Sequence, residues 1–512
     1  MHVFETLLAL LLGATLLSGV ARRFGVPYPT LLALGGALVA LVPGGPHLNL
    51  PPDLILALFV APVLIDAAYD ASLRDLKRNW KPLLSLVLGA VSLTTVAVAL
   101  AAHALFPEMP WAAAVALGAL VAPPDAVAAL AVLKAVQPPH RIRTILEGES
   151  LLNDATALLI YRLAVGAVAA GGFHVATAVP TFGLVMIGSV VVGWAAAHVN
   201  ARITRRISDP SSSVIFQFVT CFALWLLAEH LGLSGVVTVV VCGLTIARGN
   251  IAAMPARVRL PSFAVWTTAT MLLNVLAFTL IGLQLRPILE GLEPEQRMRY
   301  LVGALAVLGV VVVIRLVWTT AHHVVGGLFV RLLHGKDEPS PLRGVLVVGW
   351  SGMRGIVTLA AAMALPGDFP YRDFIQLTAF VVVVGTLVLQ GLTLQPLLRL
   401  LKLPKDDIEE RETAAGRKAA FKAAYESLDG VEGPVADRLR NDYKEVTRRA
   451  ADGLDPRDTE MNELRRKALE KARSAILALR SAGTIGDGAY RQVEEELDQL
   501  ELTTATGDYD GA

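Results

Sequence analysis

Few residues of this 512-residue chain are charged, few are cysteine, and its charges almost cancel. Charged residues make up 17% of the chain and hydrophobic ones 54%, whereas a soluble globular protein has about 25% charged residues and is about 45–50% apolar. Cys221 and Cys242 are its only cysteines, which excludes a disulfide scaffold and a cysteine-ligated metal cluster. The net charge of +1 gives no indication of a nucleic-acid partner. The composition therefore argues against a string of soluble domains.

The scarce charges are unevenly distributed. Residues 1–402 hold 46 charged residues, about 11%, whereas residues 403–512 hold 43, about 39%. The first part carries +8 (27 Lys and Arg against 19 Asp and Glu) and the second −7 (18 against 25). We therefore predict a transmembrane domain at 1–402. Residues 403–512 are predicted to form a cytoplasmic helical domain with a regulatory or dimer-contact role, with a loosely ordered charged tail as the alternative.

Thirteen apolar stretches follow one another in residues 1–402, and most reach the roughly 20 residues that a helix needs to cross a bilayer. They lie at residues 3–21, 27–42, 53–70, 80–106, 110–134, 143–171, 175–204, 212–230, 233–248, 260–285, 298–330, 341–367 and 371–401. Their sequences lack the alternation of a barrel strand, so helices are the spanning structures. We predict an all-α polytopic membrane protein with about thirteen transmembrane helices.

Basic residues alternate between the loops. The loops after odd-numbered stretches carry 18 Lys and Arg and those after even-numbered stretches carry four. Because the positive loops of a membrane protein face the cytoplasm, we expect the N-terminus outside and the C-terminus in the cytoplasm. The first stretch has no basic segment before it and is followed by Arg22 and Arg23, so we expect a retained span rather than a cleaved signal peptide.

Polar residues within the apolar stretches are functional candidates, because a charge at mid-membrane costs about 2.5–3.5 kcal/mol on insertion scales. They are Asp66, Asp125, Glu149, Ser150, Asn153, Asp154, Arg162, Arg315 and Arg354. The densest group lies in stretch six, where Ser150 and Asp154 share one helix face and Glu149 and Asn153 the adjacent one. These oxygen atoms suit a hard cation such as Na⁺. A polar clamp between helices is the alternative.

Other roles compete at three of these positions. Glu149 fits a buried ion pair with Arg315 or Arg354 better than a transport site, since an unpaired buried charge is costly. An acid at the cytoplasmic interface is an alternative for Asp66. For Arg162 the alternative role is to extend its charged end to the membrane interface or to pair with another charge.

Two stretches are interrupted by residues that break helices. Pro123 and Pro124 directly precede Asp125 in stretch five, and glycines recur at 349, 352 and 355 in stretch twelve. The two stretches are seven apart and therefore cross the bilayer in opposite directions. Interrupted spans at matching positions of inverted repeats, here stretches 1–6 and 8–13, indicate the substrate site of a transporter. A simple proline kink is the alternative.

The motifs, taken in order, resemble the monovalent cation:proton antiporter-1 family, the NhaP/NHE-type sodium/proton exchangers in their bacterial form. Residues 147–154 are similar to that family's sixth-helix signature, 122–127 to its fifth-helix motif and 349–355 to its late glycine-rich motif. Residues 58–69 are similar to its third-helix motif. The resemblance covers nearly the whole chain, and it rests on the order and spacing of four motifs.

The resemblance implies a homodimer in the bacterial inner membrane, with a core domain that moves against a dimerisation domain. It makes Asp154 the carboxylate that binds cation and proton, with Asn153 as its partner and Ser150 and Asp66 as further Na⁺ ligands. Asp125 completes the predicted cation- and proton-binding set. The resemblance also pairs Glu149 with Arg315 and places Arg354 near the core. We group these three residues as the structural ion-pair residues, which are distinct from the transport site.

The sequence therefore predicts a secondary antiporter that exchanges a monovalent cation for H⁺ by alternating access. Na⁺ is the favoured candidate for this cation. Family members with Asn-Asp at this position are expected to be electroneutral. We expect no enzyme activity and no cofactor beyond the transported ions. A K⁺/H⁺ antiporter of the same family and a cation channel are the alternatives. In one departure, Pro124 stands where many members have a threonine, so a threonine oxygen is missing from the fifth-helix motif.

Overall fold

A computed structural model describes residues 2–24, 26–43, 51–133, 138–169, 175–249, 254–334, 342–403, 406–452, 454 and 458–504. The chain divides into two compact units, Met1–Lys405 and Asp406–Ala512. Within the described residues the structure is helical, with turns and short connections and without strands. The predicted all-helical class is therefore confirmed.

The helices of the first unit follow the apolar stretches of the sequence. In chain order they are α1 (His2–Phe24), α2 (Tyr28–Ala40), α3 (Pro52–Ile55), α4 (Ala61–Asp70), α5 (Leu73–Arg78), α6 (Trp80–Leu84), α7 (Val91–Leu105), α8 (Trp111–Val121), α9 (Ala126–Leu133), α10 (His140–Ala169), α11 (Val175–Thr204), α12 (Pro210–His230), α13 (Gly235–Gly249), α14 (Ala256–Leu283), α15 (Leu285–Glu290), α16 (Pro294–His334), α17 (Leu342–Trp350), α18 (Ile356–Met363) and α19 (Arg372–Leu401). Each of the thirteen stretches contains at least one of these helices.

Among the described residues, seven helical segments are long and apolar enough to cross a membrane by length and composition. They are Trp80–Leu105, His140–Ala169, Pro180–Thr204, Pro210–His230, Ala256–Glu290, Pro294–Val325 and Arg372–Leu401. Shorter apolar helices lie at Leu8–Ala21, Tyr28–Ala40, Trp111–Val121 and Gly235–Gly249. The polytopic character is thus confirmed, whereas the number of thirteen crossings stays a prediction.

Proline and glycine account for the irregular points of these helices. π-Helical stretches, Leu56–Val60 and Ser85–Ala90, join α3 to α4 and α6 to α7. Each lies close to a proline, Pro62 or Pro82, which lacks the backbone N–H that a regular helical bond requires. The longer interruptions lie between α8 and α9 and between α17 and α18. They coincide with the paired prolines and the glycines of stretches five and twelve.

Two apolar clusters share helix α10. The larger one surrounds the interrupted helices and includes Leu117, Leu133, Met353 and Phe374, all nearly inaccessible. The second lies where α4 and α10 meet α11, α12 and α13, and it includes Leu64, Leu151, Ala155, Trp225 and Val240. Because α10 also contributes Ile145 and Tyr161 to the larger cluster, the helix that carries most of the candidate residues lies between the two.

The second unit consists, in its described part, of the helices α20 (Ile408–Glu426), α21 (Pro434–Ala451), α22 (Glu460–Ser481) and α23 (Asp487–Thr504). Helix α20 packs against α21, and α22 packs against α23. Gly430, Gly433 and Gly483 have positive φ angles at the turns, which glycine adopts without steric cost. Arg473 of α22 forms a 3.2 Å ion pair with Glu494 of α23. The regulatory role of this unit stays a prediction.

Glycines allow close packing of α2 against α14. A Cβ atom at Gly282 would lie 2.2 Å from the carbonyl oxygen of Ala33, and one at Gly36 would lie 2.3 Å from that of Thr279. Both distances are far below a van der Waals contact, so the two backbones approach only because side chains are absent.

We expect Gly282→Ala to lower the melting temperature of the detergent-solubilised protein, because the added methyl group forces α2 and α14 apart at a cost of about 1–3 kcal/mol. Gly309→Ala on α16 is the matched control, since nothing lies within 4 Å of a Cβ atom there. Alanine favours a helix over glycine, so the control variant should melt at the parent temperature or slightly above. Equal melting of both variants would contradict the close packing.

Candidate functional site

The two interrupted helices meet at their breaks. The backbone N–H of Asp125, in the first break, donates a 2.6 Å hydrogen bond to the carbonyl oxygen of Met353 in the second. Arg354 is fully buried, and its Nε and Nη2 atoms donate to the carbonyl oxygens of Val121 (3.0 Å) and Ala122 (3.3 Å). Its Nη1 donates to the carbonyl oxygen of Gly352. Arg354 therefore satisfies carbonyl groups that α8 leaves without helical partners at its end, where the helix dipole also favours a cation.

The structure gives Arg354 different partners from those implied by its place in the predicted ion pair. Among the described residues its guanidinium binds backbone carbonyl oxygens, whereas Arg315 of α16 binds Glu149. The physical reason is that each interrupted helix ends in unsatisfied carbonyl groups within the protein interior, and these compete with a carboxylate for a buried cation.

Glu149 and Arg315 form a bidentate buried ion pair. Arg315 Nη1 lies 2.6 Å from Glu149 Oε1 and Nη2 lies 2.9 Å from Oε2, and the two side chains are only 1–2% exposed. Arg315 also donates to the carbonyl oxygens of Gly349 (3.2 Å) and Val348 (3.1 Å) at the end of α17. Arg315 therefore satisfies carbonyl groups at the end of α17, as Arg354 does at the end of α8. A Cβ atom at Gly352 would lie 2.4 Å from the Arg315 side chain, which explains the glycine there.

Asp125 begins the second half of the first interrupted helix. Its Oδ1 accepts a 2.8 Å hydrogen bond from the backbone N–H of Val127, the pattern of a carboxylate that caps a helix N-terminus. The positive end of the α9 dipole also stabilises this carboxylate. A Cβ atom at Gly355 would lie 1.9 Å from Asp125 Oδ2. Glycine at 355 therefore makes room for the acid.

Asn153 connects α10 to the first break. Its Nδ2 donates a 2.8 Å hydrogen bond to the carbonyl oxygen of Pro124, and the residue is fully buried. The bond uses the backbone of residue 124, so it is available although proline replaces the family's threonine. The other amide atom, Oδ1, is buried and accepts no hydrogen bond from the described residues. Such an oxygen atom fits a ligand for a cation.

Asp154 follows Asn153 on the same helix and is 8% exposed. Asp125 directly follows Pro124, whose carbonyl oxygen binds Asn153, so the first break brings Asp125 close to Asp154. Ser150 is half-buried one helical turn before Asp154. The structure thus gathers Asn153, Asp154 and Asp125 at the break of α8 and α9, with Ser150 on the adjoining turn of α10.

Asp66 lies on a different helix from Asp154. It lies on α4 and lines a cavity together with Tyr69, Asn200, Thr204 and Gln217, and none of the other predicted ligands lines this cavity. Helix α4 does pack against α10, through the cluster that contains Leu64 and Ala155. Asp66 is therefore a neighbour of the helix that carries the site, and it lines a space between α4 and helices α11 to α14.

Thr386 of α19 is a contact residue that no sequence pattern indicated. Its Oγ1 accepts a 3.1 Å hydrogen bond from the backbone N–H of Arg354 and donates to the carbonyl oxygen of Val382. Threonine hydroxyl groups are commonly satisfied within an apolar helix by the preceding turn. The residue therefore carried no signal that distinguished it from ordinary helical threonines.

The start of α10 is held by a contact outside the spanning segments. His140 Nε2 lies 3.1 Å from Asp75 Oδ2 of α5. Burial raises the pKa of Asp75, but hydrogen bonds with Ser72, His140 and Arg74 outweigh it, and the pKa lies below its usual value. The carboxylate is therefore ionised at neutral pH, and it anchors the first turn of the helix.

Comparison with known proteins gives consistent results. A family model described as "Sodium/hydrogen exchanger, transmembrane" matches residues 7–400. An uncharacterized Na⁺/H⁺ exchanger of Mycobacterium bovis is 32% identical over 506 residues, which cover 94% of this chain and 93% of that protein. A sodium, potassium, lithium and rubidium/H⁺ antiporter of Bacillus pumilus is 30% identical over 470 residues, with 87% of this chain and 69% of that protein covered.

The fold is also similar to a solved structure. The sodium proton antiporter MjNhaP1 from Methanocaldococcus jannaschii matches with a TM-score of 0.60 at 18% identity, over 78% of this chain and 100% of that chain. At this identity the likeness supports the fold alone.

We expect Glu149→Gln to destabilise the protein by about 3–5 kcal/mol, because it leaves Arg315 as an uncompensated buried charge. Glu147→Gln is the matched control. Glu147 lies two residues away and forms a 2.8 Å pair with Arg143, but both side chains are partly exposed, and such pairs contribute about 0.3–0.5 kcal/mol. Thermal unfolding in detergent measures both. A melting temperature for Glu149→Gln equal to that of Glu147→Gln would contradict the role of the buried pair.

Proposed function

The chain belongs to the sodium/hydrogen exchanger family. From this premise we propose that it exchanges a monovalent cation for H⁺ across the plasma membrane, with Na⁺ as the favoured cation. The family is one of transporters and not of enzymes. In the proposed mechanism cation and proton compete for Asp154, and the site faces the two sides of the membrane in turn.

A single observation carries the proposal. Asp154 is a buried carboxylate beside Asn153, whose Nδ2 is fixed by the carbonyl oxygen of Pro124 and whose Oδ1 is left available for a ligand. An isolated ionised carboxylate is costly in the protein interior. Asp154 is therefore stable with a proton or with a bound cation, and the two exclude each other. This is the requirement for coupling their movements.

The proposed cation site consists of oxygen atoms. Asp154, Ser150 and Asn153 Oδ1 would contribute from α10, and oxygen ligands suit Na⁺. We propose Asp125 as a neighbouring carboxylate whose charge modulates occupancy. Asp66 is proposed as a further ligand that cations meet first, because it lines the cavity beside α4. The buried Glu149–Arg315 pair would hold α10 against the end of α17.

Alternating access is supported by the arrangement of the cavity. By the predicted topology, the cavity lined by Asp66, Thr204 and Arg259 lies on the cytoplasmic side. Towards the other side, α10 packs against α11 to α13 through the second apolar cluster. This arrangement corresponds to a state that is open to the cytoplasm. Movement of α10 and the interrupted helices against α11 to α13 would open the other side.

The proposed stoichiometry rests on Asp154 as the one carboxylate that exchanges its proton for the cation. If Asp154 carries one cation in one direction and one proton in the other, each cycle moves no net charge. We therefore propose electroneutral exchange. The proposal includes a homodimer with the N-terminus outside and the second unit in the cytoplasm as a regulatory domain.

Exchange of K⁺ is the second candidate for the cation. The Bacillus pumilus relative is named for sodium, potassium, lithium and rubidium, so relatives of this chain are not confined to one alkali cation. Oxygen ligands are compatible with each of these ions.

We expect Asp154→Asn to abolish cation-dependent proton flux in reconstituted liposomes, because asparagine has no ionisable proton that it can lose when the cation binds. Asp368→Asn is the matched control, since Asp368 is an exposed carboxylate between α18 and α19, and its flux should equal the parent's. In the parent, the KM for Na⁺ should rise as the pH falls, because protons compete for the site. Undiminished exchange by Asp154→Asn would exclude the proposed role.

A second measurement tests the ion and the stoichiometry. Proton flux is recorded with Na⁺, Li⁺ and K⁺ in turn, at two clamped membrane potentials. We expect the highest flux with Na⁺ and the same rate at both potentials, because no net charge moves. A rate that follows the potential would contradict electroneutral exchange, and flux that continues without a counter-ion would indicate a channel.

A further inference from the structure

Arg162 forms a charged contact between α10 and α12 that the proposed mechanism has not used. Its Nη2 lies 2.8 Å from Glu229 Oε1 and 2.7 Å from Oε2, and its Nη1 donates a long hydrogen bond of 3.5 Å to the carbonyl oxygen of Leu233. The pair joins residues 67 positions apart in sequence. It therefore links two helices that are distant along the chain.

The partners of Arg162 are themselves anchored to the helices opposite α10. Glu229 lies in the last turn of α12, and Leu233 follows in the connection to α13. The backbone N–H of Ser234 donates a 2.9 Å hydrogen bond to Ser189 Oγ of α11. One arginine of α10 is thus tied to a surface built from α11, α12 and α13.

Arg162 lies on the same face of α10 as Asp154. Asp154, Leu158 and Arg162 are spaced four residues apart, so they form one stripe along the helix. Arg162 is eight residues beyond Asp154, about 12 Å further along the axis. Between them, Leu158 contacts the second apolar cluster. A path from Asp154 along this face therefore meets first Leu158 and then the ion pair.

The ion pair and the cavity lie towards opposite ends of α12, since Gln217 lines the cavity and Glu229 binds Arg162. Asp66, Asn200 and Thr204 line the cavity near the ends of α4 and α11 that the topology places at the cytoplasm. Arg162 and Glu229 lie towards the ends of α10 and α12 that it places outside. Helices α11 to α13 therefore border a cavity towards their cytoplasmic ends and are joined to α10 by charges towards the other side.

We propose that Arg162 and Glu229 are positioning residues that close the external path to Asp154 and must separate whenever Asp154 faces outside. The inference rests on the proposed alternating access. The pair acts on exchange through the position of α10 and does not bind the transported ions.

Accessibility to a thiol reagent tests this proposal directly. The reporter variant Leu158→Cys, in a chain with Cys221→Ala and Cys242→Ala, measures exposure of the external path to a membrane-impermeant maleimide in right-side-out vesicles. Loss of an ion pair of this exposure shifts a conformational equilibrium by up to about five-fold. We expect Glu229→Gln and Arg162→Gln, each added to the reporter variant, to increase its labelling rate towards that limit.

The chain offers a matched control on the same side of the membrane. Arg286 and Glu290 form a 2.6 Å ion pair within the single helix α15, on the side that the topology places outside. Glu290→Gln removes a similar pair that joins no moving parts, so the labelling rate should stay at that of the reporter variant alone. The exchanged pair Arg162→Glu with Glu229→Arg should return the rate towards the same value, because it restores the attraction with reversed signs.

Transport kinetics supply a readout that lower stability alone would not produce. A larger outward-facing population lowers the apparent KM for external Na⁺ and raises it for internal Na⁺, so Glu229→Gln should shift the two in opposite directions. Unchanged labelling rates in both Glu229→Gln and Arg162→Gln would overturn the proposal. Labelling does not depend on ion flux, so unchanged labelling would contradict the role of the ion pair alone. Retained exchange by Asp154→Asn would instead contradict the proposed function, and the two failures are therefore distinguishable.

Discussion

The structure depends on one constraint: backbone carbonyl groups cannot remain unsatisfied within a bilayer. Two helices stop in the middle of the first unit, and their last carbonyl groups have no partners of their own. A buried arginine donates to each set, Arg354 to Val121 and Ala122 and Arg315 to Val348 and Gly349. Without these cations the two breaks would be as costly as any exposed polar group in hydrocarbon. The arginines are therefore the condition for having broken helices at all.

The breaks in turn determine where ion chemistry is possible. An intact helix has no free carbonyl oxygen at residue 124, whereas the broken one offers it to Asn153. This bond uses the amide nitrogen and leaves the amide oxygen, next to Asp154, without a hydrogen bond from the described residues. The positive end of α9 stabilises Asp125 nearby. Glu149 neutralises Arg315, so the charge that supports the second break does not act as a free cation next to the site. The groups that satisfy the broken helices are thus distinct from the groups proposed to bind the ions.

Much of this arrangement was predictable from local patterns. The long apolar stretches indicated helices, the paired prolines and the glycines indicated the two interruptions, and the spacing of Ser150, Asn153 and Asp154 indicated a polar face on α10. The pairing of Glu149 with Arg315 was predicted. Arg354 was grouped with this pair because the family resemblance placed it near the core, and the structure shows its guanidinium bound to carbonyl oxygens. Thr386 was missed because a threonine in a helix carries no distinctive signal. Asp66 was grouped with Asp154, and the cavity that it lines beside α4 could not be predicted from the sequence.

The sequence by itself determined that the chain is a helical membrane protein and where its helices break. It also determined which helix carries Asp154. These features depend on residue type and on spacings of a few residues, which are local. The tertiary structure alone decided which groups meet: Asn153 with a carbonyl 29 residues away, Glu149 with an arginine 166 residues away, and Arg354 with a carbonyl 233 residues away. For each buried charge, the sequence contains several groups that are chemically suitable as hydrogen-bond or ion-pair partners. Only the packing of the helices, which brings one partner within hydrogen-bond distance and holds the others away, distinguishes between them.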